Sequence, residues 1–114
     1  MTSARAAGAR LERRARRYYR LRGYRILDEN VWIGGHELDL VVRRGGVLVF
    51  CEVKGKEGEG YGDPLEMVDR EKQRRIRRAA EAWLAARPEL ARLEVTFDVV
   101  AVRAGRLDRL ANAF

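Results

Sequence analysis

Apolar positions along the chain recur with two periods. From about Ala6 to Leu21, Ala7, Leu11, Ala15 and Tyr18 follow one another at spacings of four, four and three, the stripe of an amphipathic helix. Gly23 is its natural stop. Tyr24–Ile33 alternates imperfectly through Tyr24, Ile26, Val31 and Ile33, and the polar Asp28-Glu29-Asn30 in its middle predicts a strand with a bulge or a break. Gly34-Gly35 turns the chain into a second strand, and two Val- and Leu-rich runs on either side of Gly45-Gly46 predict a tight hairpin over residues 37–54. Four glycines within Gly55–Gly62 then predict a loop, read either as a lid or DNA-contacting loop or as a disordered connector, with Tyr61 placed to stack on a base. Asp63 or Asp69 caps a second helix that reaches about Arg87, with Ile76, Ala79, Ala80, Trp83 and Leu84 on one face, and Pro88 closes it. Leu93–Val102 is a β-branched run, hence a buried strand, and Arg106–Phe114 adds an edge strand or a short tail. The expected fold class is α/β, in the order α-β-β-β-α-β(-β), with helices flanking a mixed sheet.

The hairpin carries the candidate chemistry. With Gly45 and Gly46 as the two loop residues, facing pairs have numbers that sum to 91, so Asp39 faces Glu52 and Glu37 faces Lys54. Directly paired residues share a face, which would put all four charges on one surface. Opposed carboxylates are destabilising unless they share a proton, hold a Lys or Arg, or hold a divalent cation. Acids with oxygen donors beside a lysine suit metal-assisted phosphodiester hydrolysis. The plainer alternative is chance, since 36% of the residues are charged. In the first helix Glu12 is either a salt-bridge partner of Arg16 or Arg13, which its spacing favours, or a third oxygen donor to the acid pair. His36 follows a glycine turn and reads as a surface residue without a chemical role. Asp98, inside a buried strand, reads as a structural hydrogen-bond acceptor in preference to an outer acid of the site.

Composition sharpens the picture in three ways. At 114 residues one domain, 1–114, is expected. The single cysteine, Cys51, forms no internal disulfide and reads as a small buried hydrophobe, and no apolar run is longer than Val47–Cys51, so a cytoplasmic protein without a membrane span is expected. The net charge of +7 is segregated: fifteen of the 24 basic residues lie in residues 1–25 and 70–78, each segment holding a single acid. Such a distribution suits a polyanionic partner, the alternative being two solvated helix faces. Arg10, Arg13 and Arg17 on the first helix, Lys72, Gln73 and Arg75 on the second, and Lys56 beyond the hairpin are the candidate nucleic-acid contacts.

An ordered series of short motifs carries a resemblance: Gly8-x-x-x-Glu12-x-x-Ala15, Glu37-Leu38-Asp39-Leu40, Val49-Phe50-Cys51-Glu52-Val53-Lys54, Val68 with Lys72, Phe97-Asp98-Val99-Val100 and Asn112-Ala113-Phe114. Over nearly its whole length the chain resembles the YraN-like bacterial family, itself similar to restriction-endonuclease-like nucleases and to archaeal Holliday-junction resolvases. The resemblance implies a mixed sheet with a PD-(D/E)xK site. Asp39 and Glu52 would then be metal ligands together with the Val53 carbonyl, Lys54 would orient or activate water, and Glu12 would complete the site. Two departures stand out: His36 replaces the family's usual Gly before Glu37, and Leu38 stands where the parent motif has proline.

The expected activity is a Mg²⁺- or Mn²⁺-dependent endonuclease acting on DNA, branched or damaged structures in particular, with room for a homodimer. The rival is a non-catalytic nucleic-acid-binding module on the same scaffold, and an RNA-processing enzyme is a third reading.

Overall fold

The computed structural model describes residues 4–56 and 64–114. Helix α1 spans Ala4–Leu21 and ends as expected: Gly23 adopts φ 85°, and the Tyr24 and Gly23 amides donate to the Tyr19 and Arg20 carbonyls. This satisfies carbonyls that the last turn would otherwise leave unpaired. Strands β1 (Arg25–Ile33), β2 (His36–Arg44) and β3 (Val47–Lys56) follow. A 3₁₀ turn at Pro64–Met67 leads to α2 (Arg70–Ala85), then β4 (Glu94–Arg103) and β5 (Arg106–Leu110). Asp69 is the α2 cap; its carboxylate accepts from the Lys72 amide at 2.8 Å. Pro88 lies beyond the end of α2 and opens a 3₁₀ turn at Pro88–Leu90. Asp63, Tyr61 and the glycine-rich loop fall outside the described residues, but Gly55 belongs to β3 and not to that loop.

The sheet order is β1-β2-β3-β4-β5, antiparallel except for the parallel β3–β4 pair, whose connection runs through α2. Strand alternation sorts side chains to two helices, giving three layers. Leu48 and Phe50 of β3, with Phe97 and Val99 of β4, pack on Ile76, Ala79, Ala80 and Trp83 of α2. Val49, Cys51 and Val100 point the other way, onto Ala15 and Tyr19 of α1. Trp83 is a core residue, and its indole N–H donates to Asp28 of β1, beside the Leu27 bulge, at 2.9 Å. Burial pushes the Cys51 thiol up, consistent with a packing role. Among the described residues no helix is long and apolar enough to cross a membrane.

Asp98 joins three elements and the residues that follow the last strand. Its buried carboxylate accepts from the Tyr19 hydroxyl (2.7 Å), Arg109 Nε (2.8 Å) and the Asn112 amide (3.0 Å), linking β4 to α1, β5 and the residues after β5. It is the structural acceptor the sequence suggests. Removing one partner of a buried charged pair leaves the other unsatisfied, at a cost of about 3–5 kcal/mol. Asp98→Ala is therefore expected to lower the unfolding free energy by about that much in urea titrations. A loss under ~1 kcal/mol would remove Asp98 as a junction of the fold.

Candidate metal centre

The hairpin register is as expected over five pairs, from Arg44↔Val47 to Leu40↔Cys51, and there it stops. Beyond that level β2 stays paired with β1 out to Ile33↔His36, and β3 stays paired with β4 out to Lys56↔Arg103. The two strands part. In place of the next ladder bond, the Val53 amide donates to Asp39 Oδ2 at 2.9 Å. The expected facing of Asp39 with Glu52, and of Glu37 with Lys54, is not made.

The parting coincides with a change of phase in β2. Leu40 and Val42 pack toward α1, and unbroken alternation would send Leu38 there too; Leu38 instead packs with the α2 cluster. Asn30, on the neighbouring strand between the pairs Glu29↔Leu40 and Val31↔Leu38, takes φ 50°. The flip corrects the one-face expectation. Glu37 turns toward α1, while Glu52 and Lys54 remain on the α2 side with His36.

Two charged groupings result. On the α1 side, carboxylate oxygens of Glu12, Glu37 and Asp39 lie within 4.8 Å of one another. Glu12 also accepts from Asn30 Nδ2 at 2.9 Å, and Arg16 pairs with Glu29 at 3.1 Å, so the salt-bridge reading of Glu12 gives way to membership of the acid trio. Gly55 helps bring α1 close: a Cβ there would overlap the Leu11 side chain, one residue before Glu12. On the α2 side, Glu52 is 5% exposed, and its Oε1 lies 3.6 Å from both Lys54 Nζ and Lys72 Nζ.

Burial and the neighbouring Glu52 push Asp39 up to about 7 against the opposing pull of the Val53 amide. Burial raises Glu52 and the two lysines oppose it. Burial, with Lys72 beside it, lowers Lys54 and favours the neutral amine. His36 is lowered by burial and by Lys72, and its Nε2 has no hydrogen-bond partner, so its 4.0 Å approach to Glu52 is a contact of a neutral ring and not an ion pair. It is thus part of the site's wall and not the surface residue expected. An all-oxygen trio suits a hard divalent cation, since opposite ligands of octahedral Mg²⁺ are about 4.2 Å apart and the trio spans little more. Glu52 stands outside the trio, and its charge acts on Asp39.

Of the remaining candidates, Arg10, Arg13 and Arg17 line a groove of about 540 Å³ along α1, with Arg14, Tyr18, Leu21, Arg22 and Leu107. Lys72 reaches inward to Glu52, Gln73 donates to the Val68 carbonyl at 3.1 Å, and Arg75 pairs with Glu71 at 3.0 Å. The Lys56 side chain lies outside the described residues. No spacing in the sequence signals the inward course of Lys72, which depends on how α2 lies against the sheet.

A carboxyl with a raised folded-state pKa contributes stability fully present below its unfolded value near 4 and lost as pH rises through about 7. Asp39→Asn keeps the acceptor for Val53 and removes the charge. In EDTA at pH 8 it is expected to raise stability by roughly 2–4 kcal/mol and to flatten the pH dependence between 4 and 7. Thermal melts across that range check this, and a destabilised variant would contradict it. Mg²⁺ is expected to raise the wild-type Tm and leave that of Asp39→Asn unmoved.

The model of the uncharacterised protein family UPF0102 matches residues 11–102, which contain the acid trio, Glu52 and both lysines. The chain is 40% identical over 111 residues to a UPF0102 protein of Pectobacterium carotovorum subsp. carotovorum, covering 96% of this chain and 94% of the relative. It is 41% identical over 110 residues to a UPF0102 protein of Halorhodospira halophila, covering 96% and 88%. A UPF0102 protein of Syntrophotalea carbinolica is 48% identical over 86 residues, covering 75% and 69%. The chain belongs to the UPF0102 family, the YraN-like family whose motifs its sequence carries.

Proposed function

We propose that this protein is a divalent-metal-dependent endonuclease that hydrolyses DNA phosphodiester bonds, with branched DNA as the favoured structure. The observation that carries the reading is the convergence of Glu12, Glu37 and Asp39 next to buried Glu52 and its partners Lys54 and Lys72. Asp39, Glu12 and Glu37 would hold Mg²⁺ or Mn²⁺, with Glu52 and the Val53 carbonyl as the remaining candidate ligands. Such an ion supplies a polarised phosphate and a bound water of lowered pKa. The chain's own residues do the rest. The Val53 amide fixes the Asp39 carboxylate. Lys54, with its pKa lowered, accepts or positions a proton of the attacking water while Lys72 neutralises the phosphate. The arginine-lined groove on α1 supports a polyanionic partner held without sequence readout.

A second reading, the non-catalytic nucleic-acid-binding module, is favoured by one feature: Glu52 already has two lysine partners and needs no cation to offset its burial. Incubation with junction, flap, nicked and linear DNA in Mg²⁺ or Mn²⁺ separates the two. Cleavage is expected, slowed by on the order of 10²–10⁴-fold in Lys54→Ala and abolished in Asp39→Ala and Glu52→Ala. An inert wild type, or full activity in both carboxylate variants, would reject the enzyme. Calorimetric titration with Mn²⁺ is expected to give heat that disappears in Asp39→Asn; the binding module gives none.

A further inference from the structure

The described residues expose two large apolar side chains, Leu21 (73%) at the end of the arginine groove and Trp32 (71%) on β1. Trp32 is the one with a setting. It pairs directly with Glu37 across β1 and β2. Facing residues share a face with Cβ atoms ~4.5–5.5 Å apart, so the indole stands on the α1 side of the sheet at the lip of the acid trio. Its neighbours Val31 and Ile33 pack the opposite way, against the α2 cluster. Two residues back, Asn30 holds Glu12. An aromatic side chain of that size is seldom left in water, and strand β1 has a core on its α2 side that could have taken it.

We infer that Trp32 is a stacking platform for an unpaired base attached to the phosphate that the acid trio addresses. This deepens the nuclease reading and rests on it for the position of the phosphate. Three features favour a base over a protein surface. Among the described residues the indole stands beside Glu37, near Glu12 and Asn30, with no other exposed large apolar side chain except Leu21 at the far end of α1, whereas a protein interface has a contiguous apolar core. The chain's net charge of +7 suits a polyanionic partner. Exposed flat aromatic surface on a basic protein is how single strands are held without sequence readout. Bases inside a duplex already have both faces stacked, so Trp32 gains only from a base that is unpaired, as in a single strand, a flap or the centre of a junction. The indole would thereby select for the structures in which a phosphate adjoins an unstacked nucleotide.

The chain has two tryptophans, and Trp83 is buried with its N–H bound to Asp28, so a change of emission on binding reports Trp32. The wild-type protein is titrated in EDTA with a 20-mer of deoxythymidine and with a blunt 20-base-pair duplex at matched salt, using fluorescence quenching and anisotropy of a labelled oligonucleotide. Quenching by the single strand and not by the duplex is expected. Trp32→Ala should weaken single-strand binding by on the order of tenfold and leave duplex binding unchanged, with Trp32→Phe between it and wild type. Unchanged single-strand affinity in Trp32→Ala, equal losses for both ligands, or a shift in sedimentation showing that the indole joins two copies of the chain would each overturn the inference. The measurement needs no metal and no cleavage. A protein that cuts nothing can still pass it, and one that cuts efficiently can fail.

Discussion

Where β2 and β3 separate, a carboxylate does the work of a backbone carbonyl. The Val53 amide, which a continued ladder would pair with β2, donates to Asp39 instead. Buried amides need a partner, so the parting of the strands is tolerated because Asp39 supplies one. The same bond draws a charged group into a half-buried position. Three features of the acidic end of the sheet accompany that exchange: the wedge between the strands, the phase change at Asp39 and the assignment of Glu37 and Glu52 to different sides.

The electrostatics of the wedge are unfavourable in themselves. Burial and mutual repulsion raise Asp39, burial raises Glu52, and Lys54 is driven toward its neutral form. A protein selected for stability alone would gain by replacing such a group with apolar side chains. Perturbed groups of this kind gather at functional sites because proton transfer and cation binding need them. The strain is concentrated at one end of the sheet, where the strands separate.

Elsewhere the construction is redundant. Each sheet face is covered by one amphipathic helix, and the α1 side is further fastened through Asp98, which holds α1, β5 and the residues after β5 to β4. On the α2 side Trp83, Arg87 and Asp28 tie the edge strand β1 to the helix. The cation–π contact of Arg87 with Trp83, 3.9 Å from the ring centroid, adds to that attachment. Asp98 lies beside Cys51 and Asp28 beside Val41, so both fastenings hold the sheet at the last levels before β2 and β3 part.

Local sequence determined the elements and much of their order. Helical spacing marked α1 and α2, glycine pairs marked both turns, and the polar Asp28-Glu29-Asn30 marked the irregularity in β1. The hairpin register was also legible, because a two-residue turn leaves little choice of pairing near it. Only tertiary structure decided where that register would end. The pairing of the two hairpin strands with β1 and β4 and the close approach of α1 at Gly55 are non-local, and with the left-handed backbone of Asn30 they accompany the turn of Glu37 to one side and Glu52 to the other. Period-two alternation holds only while the ladder is regular, so a face assignment carried past a break from sequence alone inverts. Lys72 and His36 became part of the site for the same reason: their places depend on how a helix and a turn lie against the sheet, which no spacing within their own segments encodes.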